Sequence, residues 1–323
     1  MLLDEILNEI ENAETICILA HESPDGDAIG SSLGLYHILK NMEKHVEVLM
    51  KKVPEIYEFM AGFDVITEEP TVEKFDLCIV VDCPEIKRVN SDLRKYFETA
   101  DVKIEFDHHM NNTMFADYCV VNHVSPACAQ ILVESMDYLE IDIQKESMEN
   151  FLTGIITDTG GFKNSGITEE TFEIAGRTLS MGINLPKIYK ESLLVISKTR
   201  FEAQKLAMDR MEFFADGKIT FTYISKEDSL NLKLKDGDHE GIVEIGRNIK
   251  GVEVSVFLHE EEKGYKISLR SNEYVNVAEV CMVFGGGGHI RAAGANTTMS
   301  LEEAKNALIR EIEKKLWNQE FWL

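Results

Sequence analysis

The sequence predicts an α/β protein: a mostly parallel sheet in the first half, then a helical linker and a smaller α/β domain with a mixed sheet. Three observations carry this prediction. Short runs rich in Val, Ile and Leu alternate with helical patterns through the first half, as strand–helix–strand units require. The pattern changes around residues 182–186, and beyond them alternating strands pair as a hairpin. A length of 323 residues also accommodates two separate cores.

Taken in order, Thr15–His21, His45–Met50, Phe75–Cys83 and Lys103–His108 read as buried strands. Gly30–Asn41 and Ser125–Leu139 read as helices, the second with Ser125 as N-cap and Pro126 at the first helical position. These elements place a first domain over residues 1–186. The stretch Lys187–Phe213 reads as one long helix, giving a helical linker over residues 187–214. Residues 215–323 form the second domain, with a hairpin of Val252–His259 and Tyr265–Ser271 around Glu260–Gly264. A helical segment near Val277, a glycine run and a closing helix from Ser300 to Lys315 complete it.

Composition narrows the function. The apolar fraction of 44% and charged fraction of 28% are those of an ordinary globular protein. No uninterrupted apolar stretch is long enough to span a bilayer, and the acidic start Met1-Leu2-Leu3-Asp4-Glu5 is unlike a secretory signal. Six cysteines lie scattered without a C-x-x-C pair, several inside apolar runs, which fits reduced core thiols in a cytoplasmic protein. A net charge of −24 argues against a long nucleic-acid duplex as partner, because no basic stripe is present to neutralise many phosphates. A small anionic substrate remains compatible, provided that the positive charge is local, as bound metal ions supply.

Four first-half segments share one arrangement: an apolar run ends and metal-binding side chains follow. They are Leu19-Ala20-His21 with Asp25-Gly26-Asp27, Val80-Val81-Asp82, Phe106-Asp107-His108-His109, and Ile155-Ile156-Thr157-Asp158. Read as neighbouring strand ends of a parallel sheet, they converge on one rim, where ligands bind in such folds. Buried carboxylates without partners are costly, so several at one rim call for cations between them. Imidazole and carboxylate without thiolate suit Mn²⁺, Mg²⁺ or Fe²⁺ rather than structural zinc. Asp25, Asp27, Asp82 and Asp158 carry four negative charges, which two divalent ions balance. Taken singly, each group has a plainer role: Asp25 or Asp158 as a helix N-cap, His21 as a structural histidine, Asp107 as the partner that orients an imidazole.

Together, His21-x-x-x-Asp25-x-Asp27, Val81-Asp82, Asp107-His108-His109 and Thr157-Asp158-Thr159-Gly160 resemble the ordered motifs of the DHH phosphoesterase superfamily. In the second half, Gly286-Gly287-Gly288-His289-Ile290-Arg291-Ala292-Ala293-Gly294 resembles the signature of the DHH-associated domain. Within the superfamily, Gly154–Thr168 looks most like the nanoRNase/pAp phosphatase branch. The resemblance implies a Rossmann-like catalytic domain and hydrolysis of short RNA oligonucleotides and of 3′-phosphoadenosine 5′-phosphate (pAp). It also implies two divalent cations, Mn²⁺ first, with Mg²⁺, Co²⁺ or Fe²⁺ as alternatives. One would be held by His21, Asp25 and Asp82, the other by Asp27, Asp82, His108 and Asp158, with His109 facing the scissile phosphate and Asp107 holding a histidine. A homodimer is compatible with it; a membrane partner is not expected. This chain departs from the branch at Gly161, where a larger or basic residue is usual, and Lys163 is the nearest residue able to take over that role.

The second domain also reads independently as a phosphate and nucleotide grip. Successive glycines, Gly286, Gly287 and Gly288, let backbone N–H groups approach an anion. His289 and Arg291 add donors, and Arg270 at a strand end can make a bidentate phosphate contact. The proposed chemistry is attack on phosphorus by a hydroxide generated between the two cations, with His109 stabilising charge or aiding the leaving group. Rival readings are a RecJ-type exonuclease, a family II pyrophosphatase, a cyclic-dinucleotide phosphodiesterase, and a nucleotide sensor without turnover.

Overall fold

The computed structural model describes residues 2–164, 166–235 and 237–317, which divide into two compact units, Met1–Val195 and Ile196–Leu323. In the first unit α1 (Leu2–Asn12) and β1 (Thr15–Leu19) precede α2 (Gly26–Asn41), β2 (His45–Leu49), β3 (Ile66–Thr67) and β4 (Leu77–Val81). Next come α3 (Ser91–Thr99), β5 (Val102–Asp107), β6 (Tyr118–Val121), α4 (Cys128–Tyr138) and α5 (Lys145–Asp158). The unit ends with α6 (Glu169–Ser180), α7 (Leu185–Tyr189) and a π-helical turn over Lys190–Leu194.

The strands run in the order β3-β2-β1-β4-β5-β6, and every pairing among the described residues is parallel. Alternate side chains of β1 serve two cores. Ile16 and Ile18 pack with α1, α2, α4 and α5, while Cys17 and Leu19 pack with α3 on the opposite face. Order reverses between β1 and β4, so their carboxyl ends flank the crevice in which open α/β sheets bind ligands.

Three expectations need correction. Asp158 does not follow a strand: Gly154-Ile155-Ile156-Thr157 belongs to α5, a helix whose apolar, buried surroundings make its sequence look like a core strand. Ser125 does not cap α4. The helix begins at Cys128 after Ala127, so Pro126 is not its first residue either. Its first N–H groups are satisfied from a distance, by Asp27, so no local cap is needed. The expected linker helix is broken: α7 and the π turn end at Leu194, Val195 is extended, and a new helix starts after Ser197.

That new helix, α8 (Lys198–Asp209), opens the second unit. It buries Ala203 and Ala207 against Ile224, Ile242 and Phe257 of the same unit. There follow β7 (Glu212–Phe214), β8 (Ile219–Ile224), α9 (Lys226–Leu232), α10 (Ile242–Arg247), β9 (Val254–Glu261) and β10 (Gly264–Ser271). The unit closes with α11 (Val277–Val283), β11 (Gly287–His289), β12 (Ala292–Thr297) and α12 (Leu301–Trp317). The sheet order is β11-β12-β10-β9-β8-β7, antiparallel except for the β8–β9 pair. The glycine run is therefore not a free loop: Gly287 and Gly288 lie in an edge strand paired with β12.

Candidate metal centre

Each acidic group is placed by the element that carries it or by one packed against it. Asp25 caps α2, its Oδ1 accepting from the N–H groups of Asp27 and Ala28 at 3.0 and 3.1 Å. Asp27, in the first turn of α2 and fully buried, accepts from Cys128 N–H (2.6 Å) and Ala129 N–H (3.0 Å) of α4. Ser31 Oγ donates to it as well, at 3.2 Å. One carboxylate thus ties two helix N-termini, whose positive ends favour it. Asp82 directly follows β4 with φ of +52°, and its N–H donates to Phe106 O at 2.9 Å. Asp158 ends α5.

These groups meet. Donor atoms of His21, Asp25 and Asp82 lie within 4.8 Å of one another, as do those of Asp27, His108 and Asp158, and those of Asp82, His108 and His109. Asp82 lies 3.7 Å from His21 Nε2 and 3.4 Å from His108 Nε2, which is 3.3 Å from Asp158. The structure therefore brings all six expected ligands into one connected cluster. His108 Nδ1 faces Ser125 O at 3.2 Å. A carbonyl only accepts, so Nδ1 carries a proton and Nε2 is the nitrogen turned toward the carboxylates, where a bound cation would replace its proton. Asp107 is fully buried and holds His109 Nδ1 at 2.7 Å.

The electrostatics of the cluster are those of crowded, buried carboxylates. Burial, then the charges of Asp82 and Asp158, push Asp27 well above the usual carboxylate range. Burial, reinforced by Asp82 and Asp25, raises Asp158 to about 7. His108 is pushed up to about 10 because its Asp82 bond and the surrounding carboxylates outweigh burial. Two donor atoms, His21 Nδ1 and Asp82 Oδ1, are buried without a hydrogen-bond partner. Orphaned donors of the right chemistry, beside excess negative charge, fit divalent cations.

The remaining expected residues are placed as follows. Lys163 is exposed on the loop after Asp158. Gly161 sits at φ of +73°, where a Cβ would fall 2.6 Å from the Tyr189 ring and 2.9 Å from Leu193. The space of a larger residue is already filled, which accounts for the glycine. In the second unit Arg270, Ala292 and His289 are direct partners in one row across β10, β12 and β11. Ser268, Gly294 and Gly287 form the next row on that face, leaving a small-residue floor between the arginine and the exposed histidine. Glu244 holds Arg270 Nε at 2.9 Å. Arg291 donates to the backbone carbonyls of Val275 and Glu273, so it braces a loop. Gly286 is packed against Gly294 and Ala295, with no room for a Cβ.

The sequence reading missed three features. Asn112 donates to Asp107 Oδ2 at 2.7 Å. Ser125 acts through its carbonyl. Gly26, Gly30 and Gly34, spaced by four, line the face of α2 that meets α5. Only the last left a signal in the sequence, the four-residue glycine spacing.

Comparison with known proteins agrees with this geometry. Residues 15–157 match the DHH family, N-terminal domain, and residues 216–318 match the DHHA1 domain. A bifunctional oligoribonuclease and PAP phosphatase NrnA of Thermus thermophilus is 30% identical over 319 residues, covering 98% of this chain and 94% of that protein. A probable bifunctional oligoribonuclease and PAP phosphatase NrnA of Streptococcus mutans is 26% identical, over 90% and 92% of the two chains. The crystal structure of an exopolyphosphatase-related protein from Bacteroides fragilis superposes with a TM-score of 0.88 at 30% identity, covering 97% of this chain and 96% of that one. The chain belongs to the DHH family, carries its DHHA1 domain, and is a phosphoric ester hydrolase.

Proposed function

We propose that this hydrolase cleaves RNA oligonucleotides of two to five residues to mononucleotides and removes the 3′-phosphate of pAp, using two divalent cations. The observation that carries the reading is the position of Asp82, shared by donor groups on either side of it. His21, Asp25 and Asp82 would hold one cation, and Asp27, Asp82, His108 and Asp158 the other; the donor set suits Mn²⁺, Mg²⁺ or Fe²⁺, and the family resemblance puts Mn²⁺ first. Bound there, the cations would supply a nucleophile at neutral pH and neutralise phosphoryl charge.

The chain's own residues supply the rest. The Ser125 carbonyl fixes the tautomer of His108, keeping Nε2 unprotonated for a cation. Asp107 holds the Nδ1–H of His109 and favours the imidazolium, whose Nε2–H would donate to a phosphoryl or leaving oxygen. The His289–Arg270 row supports the phosphate and nucleotide grip, with its small-residue floor open to a flat ligand. Gly288 and Gly286 then act by letting strands approach, rather than as an anion-binding loop. Six free cysteines fit action in the cytoplasm. No helix among the described residues is long and apolar enough to cross a membrane.

The test is an assay of Mn²⁺-loaded protein on pAp, a diribonucleotide, a five-residue RNA, a long single strand, a cyclic dinucleotide and pyrophosphate. Hydrolysis of the first three, abolished together with metal binding in Asp82→Ala, is the expected result. Turnover of pyrophosphate alone, or an Asp82→Ala variant with parental metal content and rate, would end this reading.

A further inference from the structure

Beyond the metal ligands, the loop after β5 contains a residue to which no role in the reaction has been assigned. Asn112 donates from Nδ2 to Asp107 Oδ2 at 2.7 Å, and its Oδ1 accepts from Met114 N–H at 2.6 Å. Its own N–H donates to His109 O at 3.2 Å. Asp107 is fully buried, and its other oxygen holds His109 Nδ1 at 2.7 Å. The amide therefore fixes the plane of the carboxylate that fixes the imidazole.

The loop itself is anchored elsewhere. Thr113 N–H donates to Pro84 O at 2.9 Å, and Phe115 N–H donates to the fully buried Glu105 at 3.1 Å. Loss of the Asn112 donor would leave these anchors in place and leave Asp107 Oδ2 only the longer contact from the His109 backbone N–H, at 3.3 Å. We infer that Asn112 is a positioning residue of the phosphoester reaction, acting through Asp107 on the orientation of His109. This rests on the reading of His109 as the group that meets the phosphoryl oxygens.

The two polar ends of Asn112 make the inference separable from a loop role. Asn112→Asp keeps an oxygen for Met114 N–H but removes the donor to Asp107, setting carboxylate against carboxylate. Parent, Asn112→Asp and Asn112→Ala would be loaded with Mn²⁺ and assayed on pAp and a diribonucleotide, with bound metal measured in each. Expected is a fall in kcat of about tenfold or more in both variants, the size usual for a partner that orients an active group. Metal content should stay within about twofold of the parent and KM should change less than kcat, since the proposed cation ligands are untouched. Added to His109→Ala, the Asn112→Asp change should cause no further loss.

A parental kcat in Asn112→Asp, or a loss additive with His109→Ala, overturns the inference. So does loss of metal from either variant. Should Asn112→Ala fail to fold, Asn112→Asp decides alone. A parent inactive on every nucleotide sinks the functional reading instead, which keeps the two failures apart.

Discussion

The most demanding perturbation is the smallest. Gly30 faces α5, and a Cβ there would lie 2.5 Å from Asn150 O and 2.9 Å from Gly154 N. Both are backbone atoms, so no side chain can rotate out of the way. Relief to ordinary contact, 3.4 Å or more, needs close to an ångström of helix separation. Overpacking of this kind costs about 1–3 kcal/mol, and a clash with backbone belongs in the upper half. Alanine returns about 1 kcal/mol of helix propensity. Gly30→Ala should thus destabilise by ~1–2 kcal/mol, a fall in Tm of roughly 2–8 °C for a unit of this size. The same separation moves Asp158 on α5 away from Asp27 on α2. A misplacement on this scale can lower the rate by about a hundredfold.

The assay is a thermal melt and a Mn²⁺ titration of Gly30→Ala beside Gly176→Ala. Gly176 is exposed on α6 with nothing within 4 Å of a built Cβ, so the same change there should stabilise slightly. If Gly30→Ala melts and binds Mn²⁺ like the parent, then the glycine contact does not set the spacing of the two aspartates.

Three further expectations follow from the same structure. Asp158 and His108 bind protons more tightly folded than unfolded, so their stabilisation is complete below their unfolded values and is lost as pH rises through about 7 and about 10 respectively. Metal-free protein should therefore lose Tm from pH 5 to pH 9, and added Mn²⁺ should restore more of it at each step, as cations replace protons; a metal-induced rise that shrinks with pH contradicts this. Gly161→Ala should destabilise by about 1–2 kcal/mol, through strain at positive φ and the Tyr189 contact, measured by urea unfolding. Asp228, paired with Arg210 and closing a capping box with Ser225, is held down to about 2 against burial. Its contribution is present above the unfolded value and fades only as pH falls toward 2, so Asp228→Ala should lose about 1–2 kcal/mol at neutral pH.

The legible part of the fold was the part with a strong local pattern. β1, β2, β4 and β5 are short runs rich in Val, Ile and Leu, and the sequence pattern places each within a few residues. β3 has two residues and β6 is half-buried at the sheet edge, so neither left a pattern to read. Asp158 lies in the cluster, but at the end of a helix rather than a strand, because a helix buried against α2 and α4 reads like a core strand. The start of α4 was misplaced because its N–H groups are satisfied by a carboxylate about a hundred residues earlier, and no local signal encodes that contact. The glycine run carries no strand pattern of its own, because pairing at a sheet edge is set by β12, not by Gly287 itself.

What distinguishes the cluster from an ordinary acidic surface is where local preferences are broken. Glu43, Lys52, Glu140 and Lys233 also adopt positive φ, but all four are exposed at turns and remain hydrated. Asp82 adopts it while 2% exposed, a conformation that costs roughly 1 kcal/mol without solvent to compensate. Asp158 ends a helix with no basic residue in its last turn, where the helix dipole opposes a negative charge by about 0.3–1 kcal/mol. Asp27 is a carboxylate with no exposure at all. Each violation is tolerable alone and would be removed cheaply by substitution. All three converge on the same few ångströms, and positive charge placed between them would stabilise all three carboxylates. A fold maintained for stability alone would have no reason to gather them, whereas a cation site requires it.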